Sequence, residues 1–171
     1  MIKKGIILAG GTGTRLSPLT KAVNKQLLPI YDKPLIFYPL SILMLANIKN
    51  ILMIVNPGQI ENFKSLLGDG KRFGIKIQYK IQKKPKGLAD AFILGKNFIK
   101  KDNVALILGD NFFYGQSLTD KLEKSLTHTV GSRIFLKNVK TPENFGVAKI
   151  INNKIKKKIK KQKKFISNYA I

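Results

Sequence analysis

The chain contains no cysteine, which excludes disulfides and thiolate metal sites. It has one histidine, His128. A catalytic or metal-binding histidine normally has partners, and none stands near it in the sequence, so it reads as structural or solvated. Acidic residues are few, nine against 32 basic ones, and the net charge is +23. Arginine is scarce as well: Arg15, Arg72 and Arg133 leave 29 lysines among the 32. No apolar run approaches the ~20 residues of a membrane span, so no membrane association is expected. The opening Ile2-Lys3-Lys4-Gly5 leads into a short apolar strand rather than a signal-peptide core. The expected location is cytoplasmic.

Strong positive charge often marks a nucleic-acid or anionic-membrane binder. Here lysine, isoleucine and asparagine are abundant together, and all three have A/T-rich codons. Base-composition bias accounts for that without a ligand. The aromatic-plus-basic repeats of single-strand binders are not apparent, so no nucleic-acid partner is expected. From Lys149 to Lys164 nine of sixteen residues are lysine, and no acid follows Glu143. This tail reads as a solvated hairpin of weak order. A polyanion-binding tail is the competing reading.

What is present suits a globular protein: 171 residues with 44% hydrophobic content are enough for one domain with its own core. Ile6–Ala9, Ile51–Val55 and Val104–Leu108 are short, largely branched apolar runs bounded by glycine or turn residues, and read as buried strands. Ile75–Ile81 alternates and reads as another. Helices are expected from Pro34 onward, over 59–67, over Leu88–Phe98 and over Ser117–Thr127. Further strands are expected at Ser132–Leu136 and Val147–Ile151, with Thr141–Gly146 a turn. Strands alternate with helices, which implies an α/β fold, a three-layer α/β/α sandwich around a mostly parallel, Rossmann-like sheet. Residues 1–137 form the expected α/β core and 138–171 a partial β-rich segment of one continuous domain.

The first strand runs into Gly10, Gly11 and Gly13, with Arg15 close behind. Glycines there permit a sharp turn and close approach of a ligand. Free backbone N–H groups in such a loop can hold phosphate oxygens, and Arg15 offers a charged fork for them. A plain tight turn is the simpler alternative. The loop is neither a Walker A motif, which needs lysine at a fixed spacing, nor a dinucleotide fingerprint, since Leu16 stands where a third glycine belongs. Lys25 is either an exposed loop lysine or a second phosphate contact. Asp110 ends the Val104–Leu108 strand after Gly109, at the carboxyl edge where open α/β sheets bind ligands. It is either a Mg²⁺ ligand or a turn aspartate. Gln82 ends its own strand at the same edge.

Four blocks in order, Leu8-Ala-Gly-Gly-Thr-Gly-Thr-Arg-Leu-Ser-Pro-Leu-Thr, Lys25-Gln-Leu-Leu-Pro-Ile-Tyr-Asp-Lys-Pro, Leu67-Gly-Asp-Gly and Leu108-Gly-Asp-Asn-Phe-Phe-Tyr-Gly, resemble the sugar-nucleotide pyrophosphorylases, and among them the glucose-1-phosphate thymidylyltransferases of deoxysugar and rhamnose pathways. The likeness covers essentially the whole chain. It implies a Mg²⁺-dependent, in-line attack that joins dTTP and glucose 1-phosphate into dTDP-glucose and pyrophosphate. It also implies catalytic roles for Arg15, Lys25 and Asp110, and nucleotide contacts from Leu8, Gly10, Gly11, Gly13, Thr14, Arg15, Gln26, Gln82 and Gly87. Gln82 and Gly87 match the positions that recognise thymine. Asp110 matches a metal ligand, and Gly146 and Lys161 match sugar and sugar-phosphate contacts. A homo-oligomer is implied too. Phe145 replaces the family's tyrosine and Lys160 a glutamate that would bind sugar hydroxyls. The resemblance further implies a chain truncated at its C-terminus, without a second metal-binding aspartate.

Overall fold

The computed structural model describes residues 2–11, 13–127, 131–139, 141, 146–151, 154–160 and 169–170. Two compact units are present, Met1–Thr129 and Val130–Ile171, each with its own sheet.

In the first unit, β1 (Lys4–Ala9), β4 (Asn50–Val55), β5 (Lys76–Ile81) and β6 (Val104–Leu108) form one sheet in the order β5-β4-β1-β6. All three pairings are parallel. Side chains alternate across a strand, and the alternation divides the apolar residues into two layers. Ile7 and Ala9 of β1, Ile51, Met53 and Val55 of β4, Ile77 of β5 and Ile107 of β6 face one way. They pack with Leu40 and Leu43 of α2 (Phe37–Leu45), Phe63 and Leu67 of α3 (Ile60–Leu67) and Leu122 of α6 (Leu118–Leu126). Ile6, Leu8, Leu52 and Ile54 face the other way, against Ala91 and Leu94 of α4 (Asp90–Leu94) and Phe98 and Ile99 of α5 (Lys96–Ile99). A sheet covered on both faces explains why β1, β4 and β6 read as continuous apolar runs. Each fully buried Ile or Leu on it contributes roughly 1.5–3 kcal/mol. The expected three-layer α/β/α arrangement is thus present in this unit.

Three local expectations change. Pro34 does not open a helix. Lys33–Pro34 (β3) pairs antiparallel with Pro29–Ile30 (β2), the Leu35 N–H extends that pairing to the Leu28 carbonyl at 3.0 Å, and α2 begins at Phe37. The segment expected as one helix over Leu88–Phe98 is two short helices meeting at Gly95. A β-carbon on Gly95 would stand 2.9 Å from the Ala91 carbonyl oxygen and 3.0 Å from Ile6 Cδ1. The break therefore falls at a glycine packed close against Ile6 of β1 and Leu52 of β4. Ser132–Leu136 forms no strand. Ile134 and Phe135 are 41% and 43% exposed, and pairing begins only at Lys137.

Two polar ties secure the unit's far end. Lys4 Nζ donates to the Phe98 carbonyl at 2.6 Å and meets Asp102 Oδ2 at 2.6 Å, joining β1 to the end of α5. The Tyr79 hydroxyl donates to the Gly68 carbonyl at 2.7 Å, just past the end of α3. Desolvation, with the Asp69 charge as a smaller cause, pushes the Tyr79 phenol up to about 12.

The second unit is an antiparallel sheet in the order β7-β10-β8-β9, from β7 (Lys137–Asn138), β8 (Gly146–Ile151), β9 (Lys154–Lys160) and β10 (Tyr169–Ala170). Within the lysine-rich stretch, expected as a weakly ordered hairpin, β9 pairs antiparallel with β8, with Val147 opposite Ile159 and Ile150 opposite Ile155. Val147 and Ala148 are buried. His128, Phe145 and Lys161 lie outside the described residues.

Candidate nucleotide site

Parallel strands deliver their carboxyl ends to one edge. The residues just past those ends are Gly10 after β1, Asn56 after β4, Gln82 after β5 and Gly109-Asp110 after β6. The ladders align them: Leu8 is opposite Leu108, Ala9 is opposite Val55, and the Gly109 N–H continues the ladder to the Leu8 carbonyl at 2.9 Å.

The glycine loop is held by side chains from neighbouring segments. Asn56 makes two hydrogen bonds to Gly11: its Oδ1 accepts from the Gly11 N–H at 3.1 Å and its Nδ2 donates to the Gly11 carbonyl at 2.8 Å. The Thr20 hydroxyl donates to the Gly13 carbonyl at 2.9 Å. Gly13 is left-handed at φ 60° and precedes a 3-10 turn over Thr14–Leu16. Arg15 is the middle residue of that turn, and its side chain lies outside the described set.

A second 3-10 turn, Lys25–Leu27, brings in the next block. The Asn24 side chain caps it by accepting from the Gln26 N–H at 2.9 Å, as a good capping residue does. Lys25 and Asp110, far apart in the chain, meet here: Lys25 Nζ is 2.8 Å from Asp110 Oδ2. Both side chains remain about one third exposed (32% and 34%), so the pair adds little to stability, and its charges stay available to a ligand. Gln26 is buried, 5% exposed. Its Oε1 has no hydrogen-bond partner among the described residues, which marks a place for a donor from a ligand or water.

These elements enclose a cleft of about 230 Å³ lined by Gly10, Gly11, Gly13, Thr14, Leu16, Lys25, Gln26 and Asp110. Of the residues assigned to the nucleotide from the sequence, the cleft brings together Gly10, Gly11, Gly13, Thr14 and Gln26, and it adds Lys25 and Asp110. Leu8 is instead buried under the loop, in the apolar layer against α4 and α5. Gln82 stands behind Gly10: a β-carbon there would be 2.6 Å from Gln82 Oε1. Gly87 is exposed, at φ 96°, in the connection from β5 to α4. Gly146 opens β8 of the second unit.

Sequence reasoning missed Asn56, Thr20 and Asp90. Asp90 accepts from Gln82 Nε2 at 2.7 Å. Asn56 carried a weak signal, since it follows a buried strand at the same edge as Gly10.

The donor set bears on metal binding. Among the described residues no three Asp, Glu, His or Cys side chains stand together. A cation at Asp110 would therefore take most of its ligands from phosphate oxygens and water. Mg²⁺ commonly binds in that way, through one or two carboxylates plus substrate phosphates, so the residues fit a substrate-bridged Mg²⁺ and not a self-contained metal site.

A glycine-rich loop after the first strand, at the carboxyl edge of a parallel sheet, is where open α/β proteins bind their ligands. The family comparison narrows this: the Nucleotidyl transferase family matches residues 4–169, and the chain belongs to that family. It is 58% identical over 150 residues to the glucose-1-phosphate thymidylyltransferase of Neisseria meningitidis, covering 88% of this chain and 52% of the relative. To the Xanthomonas campestris enzyme of the same name it is 49% identical over 170 residues, covering 99% and 58%. Among solved structures, a glucose-1-phosphate thymidylyltransferase from Bacillus anthracis in complex with a sucrose superposes with a TM-score of 0.90 at 39% identity, over 98% of this chain and 68% of that one. A UDP-glucose pyrophosphorylase complexed with UDP-glucose superposes with a TM-score of 0.81 at 26% identity, over 99% and 74%. The chain spans about half the length of the curated relatives it matches.

Proposed function

We propose that the cleft is the nucleoside triphosphate side of a nucleotidyl transfer site, and that the reaction joins dTTP and glucose 1-phosphate into dTDP-glucose and pyrophosphate. The observation that carries this reading is the meeting of Lys25 and Asp110 at 2.8 Å beside the Gly10–Gly13 loop. In the reaction a phosphate oxygen of the sugar phosphate attacks the α-phosphorus of dTTP. The new P–O bond forms as the bond to the β-phosphate oxygen breaks, and pyrophosphate leaves with that electron pair. Such chemistry needs positioning and neutralisation of charge rather than a covalent nucleophile. Loop N–H groups and Arg15 would hold triphosphate oxygens. Lys25 would neutralise charge developing at the α-phosphate. Asp110 would hold Mg²⁺, whose bound form neutralises the phosphates and orients them for in-line displacement. Gln82 and Gly87 would contact the base, and Gly146 and Lys161 would serve the sugar phosphate. A cytoplasmic homo-oligomer in a deoxysugar pathway completes the reading.

A second reading is nucleotide binding without turnover. It is favoured by the sugar side of the sequence, where Phe145 and Lys160 stand in place of the tyrosine and glutamate that the resemblance implies. One assay separates the two. The 171-residue chain is incubated with dTTP, glucose 1-phosphate and Mg²⁺, and pyrophosphate is measured, with Lys25→Ala and Asp110→Asn as controls. Removing one charge-stabilising group of this kind lowers kcat by about 10²–10³. Release no greater than in the controls refutes turnover, and absence of any dTTP-induced rise in Tm refutes the nucleotide site.

A further inference from the structure

Gln82 is almost fully buried, 3% exposed, yet its two amide ends face different partners. Nε2 donates to Asp90 Oδ2 at 2.7 Å, and Oε1 faces Gly10. A carboxylate accepts hydrogen bonds, whereas a glutamine amide both donates and accepts. Turned by 180°, the amide would set Oε1 against the carboxylate, acceptor against acceptor. Asp90 thus fixes which end of Gln82 is turned to the glycine loop. Gly10 has no side chain to fill the space in front of Oε1, and it also lines the cleft.

We propose that Asp90 is a specificity-positioning residue: by holding Nε2 it presents Gln82 Oε1 as an acceptor to a base lying on Gly10 and Gly11, selecting a pyrimidine whose N3 carries hydrogen. Thymine and uracil meet that requirement. Cytosine places an unprotonated N3 against Oε1, leaving two acceptors face to face. The cost of such unpaired polar groups is why sites built on hydrogen bonds discriminate strongly. Asp90 reaches the base only through Gln82. The inference rests on the reading of the cleft as a nucleotide site, and it adds the group that determines which base is accepted.

The test is calorimetric titration of the intact chain with dTTP and with dCTP. Wild type is expected to prefer dTTP by at least tenfold, the value of one hydrogen bond to the correct partner. Asp90→Asn is isosteric and can either donate or accept, so Gln82 can turn over. The preference should shrink by about tenfold. Asp90→Ala should shrink it too, and Asp90→Glu, which keeps a group that only accepts, should retain more of it than Asp90→Asn. Lys25→Ala should weaken both nucleotides alike and leave the ratio unchanged, which separates phosphate binding from base selection. A ratio unaltered in both Asp90→Asn and Asp90→Ala overturns the inference, while dTTP binding and the proposed function stand. A wild type that binds neither nucleotide overturns the proposed function, and this inference with it.

Discussion

Replacing Gly10 by alanine tests how the loop and its neighbours are packed. The added β-carbon would stand 2.6 Å from Gln82 Oε1, 3.7 Å from Gln82 Cδ and 3.2 Å from Asn56 Oδ1. Backbone strain is not the issue, because Gly10 is not among the positive-φ residues. The clash must be relieved by moving side chains. Gln82 is buried and tied to Asp90 at 2.7 Å, and Asn56 is tied to both backbone groups of Gly11, so neither yields freely. Overpacking of this kind costs about 1–3 kcal/mol, with loss of the Gln82–Asp90 bond contributing about 1 kcal/mol of that. The assay is urea unfolding of Gly10→Ala, Gln82→Ala and the double variant, read as a double-mutant cycle. Removing the Gln82 side chain removes the nearest contact, so the double variant should be more stable than the sum of the single effects predicts, by about 1 kcal/mol or more. Gly58→Ala is the comparison. Gly58 is at φ 74° with nothing within 4 Å of an added β-carbon, so its cost of about 1–2 kcal/mol is conformational and should be indifferent to Gln82→Ala. Coupling between positions 10 and 82 below about 0.5 kcal/mol refutes the steric argument.

Two further expectations follow from other contacts. Asn56→Ala leaves the Gly11 N–H and carbonyl without their partners, which should cost about 1–3 kcal/mol in urea unfolding and weaken dTTP binding in a thermal-shift titration; unchanged values on both counts would remove Asn56 from the account. Desolvation pushes the Tyr79 phenol from its ordinary value of 10.0 up to about 12 in the folded chain. The unfolded chain therefore loses the phenolic proton first, and stability should fall as pH rises from about 10 toward 12. An absorbance titration of wild type against Tyr79→Phe isolates the late phenol, and a phenol ionising near 10 would contradict the burial.

The parts of the fold that depend on short-range pattern were legible in the sequence. Ile6–Ala9 and Val104–Leu108 stand out because a strand buried on both faces needs an unbroken apolar run, and glycine marks where each one ends. Pairings between distant segments were not legible. Pro34 suits the first turn of a helix, but the antiparallel partner at Pro29–Ile30 outweighs that preference. Ile134 and Phe135 have strand propensity, but propensity for a strand is mostly fit to a half-buried surface, and both side chains remain well exposed. In the site, Lys25 and Asp110 carried a signal because charged groups near a glycine loop suggest phosphate. Asn56 and Asp90 carried little. Asn56 depends on Gly11, which the parallel register of β1 and β4 brings within hydrogen-bond reach, and Asp90 on Gln82, which the path of the connection from β5 to α4 folds back against it.

The same register acts as a ruler for the cleft. β1 is paired on both sides, residue for residue, from Lys4 to Ala9 with β4 and from Lys4 to Leu8 with β6. A slip of β6 by one residue would carry Asp110 about 3.3 Å along the sheet and turn alternate side chains to the opposite face. That step is longer than the 2.8 Å separating Lys25 from Asp110. The spacing of the charged groups is therefore measured out by backbone hydrogen bonds laid down beneath them. The exterior can drift toward lysine, residue by residue, without recalibrating the distance across the cleft.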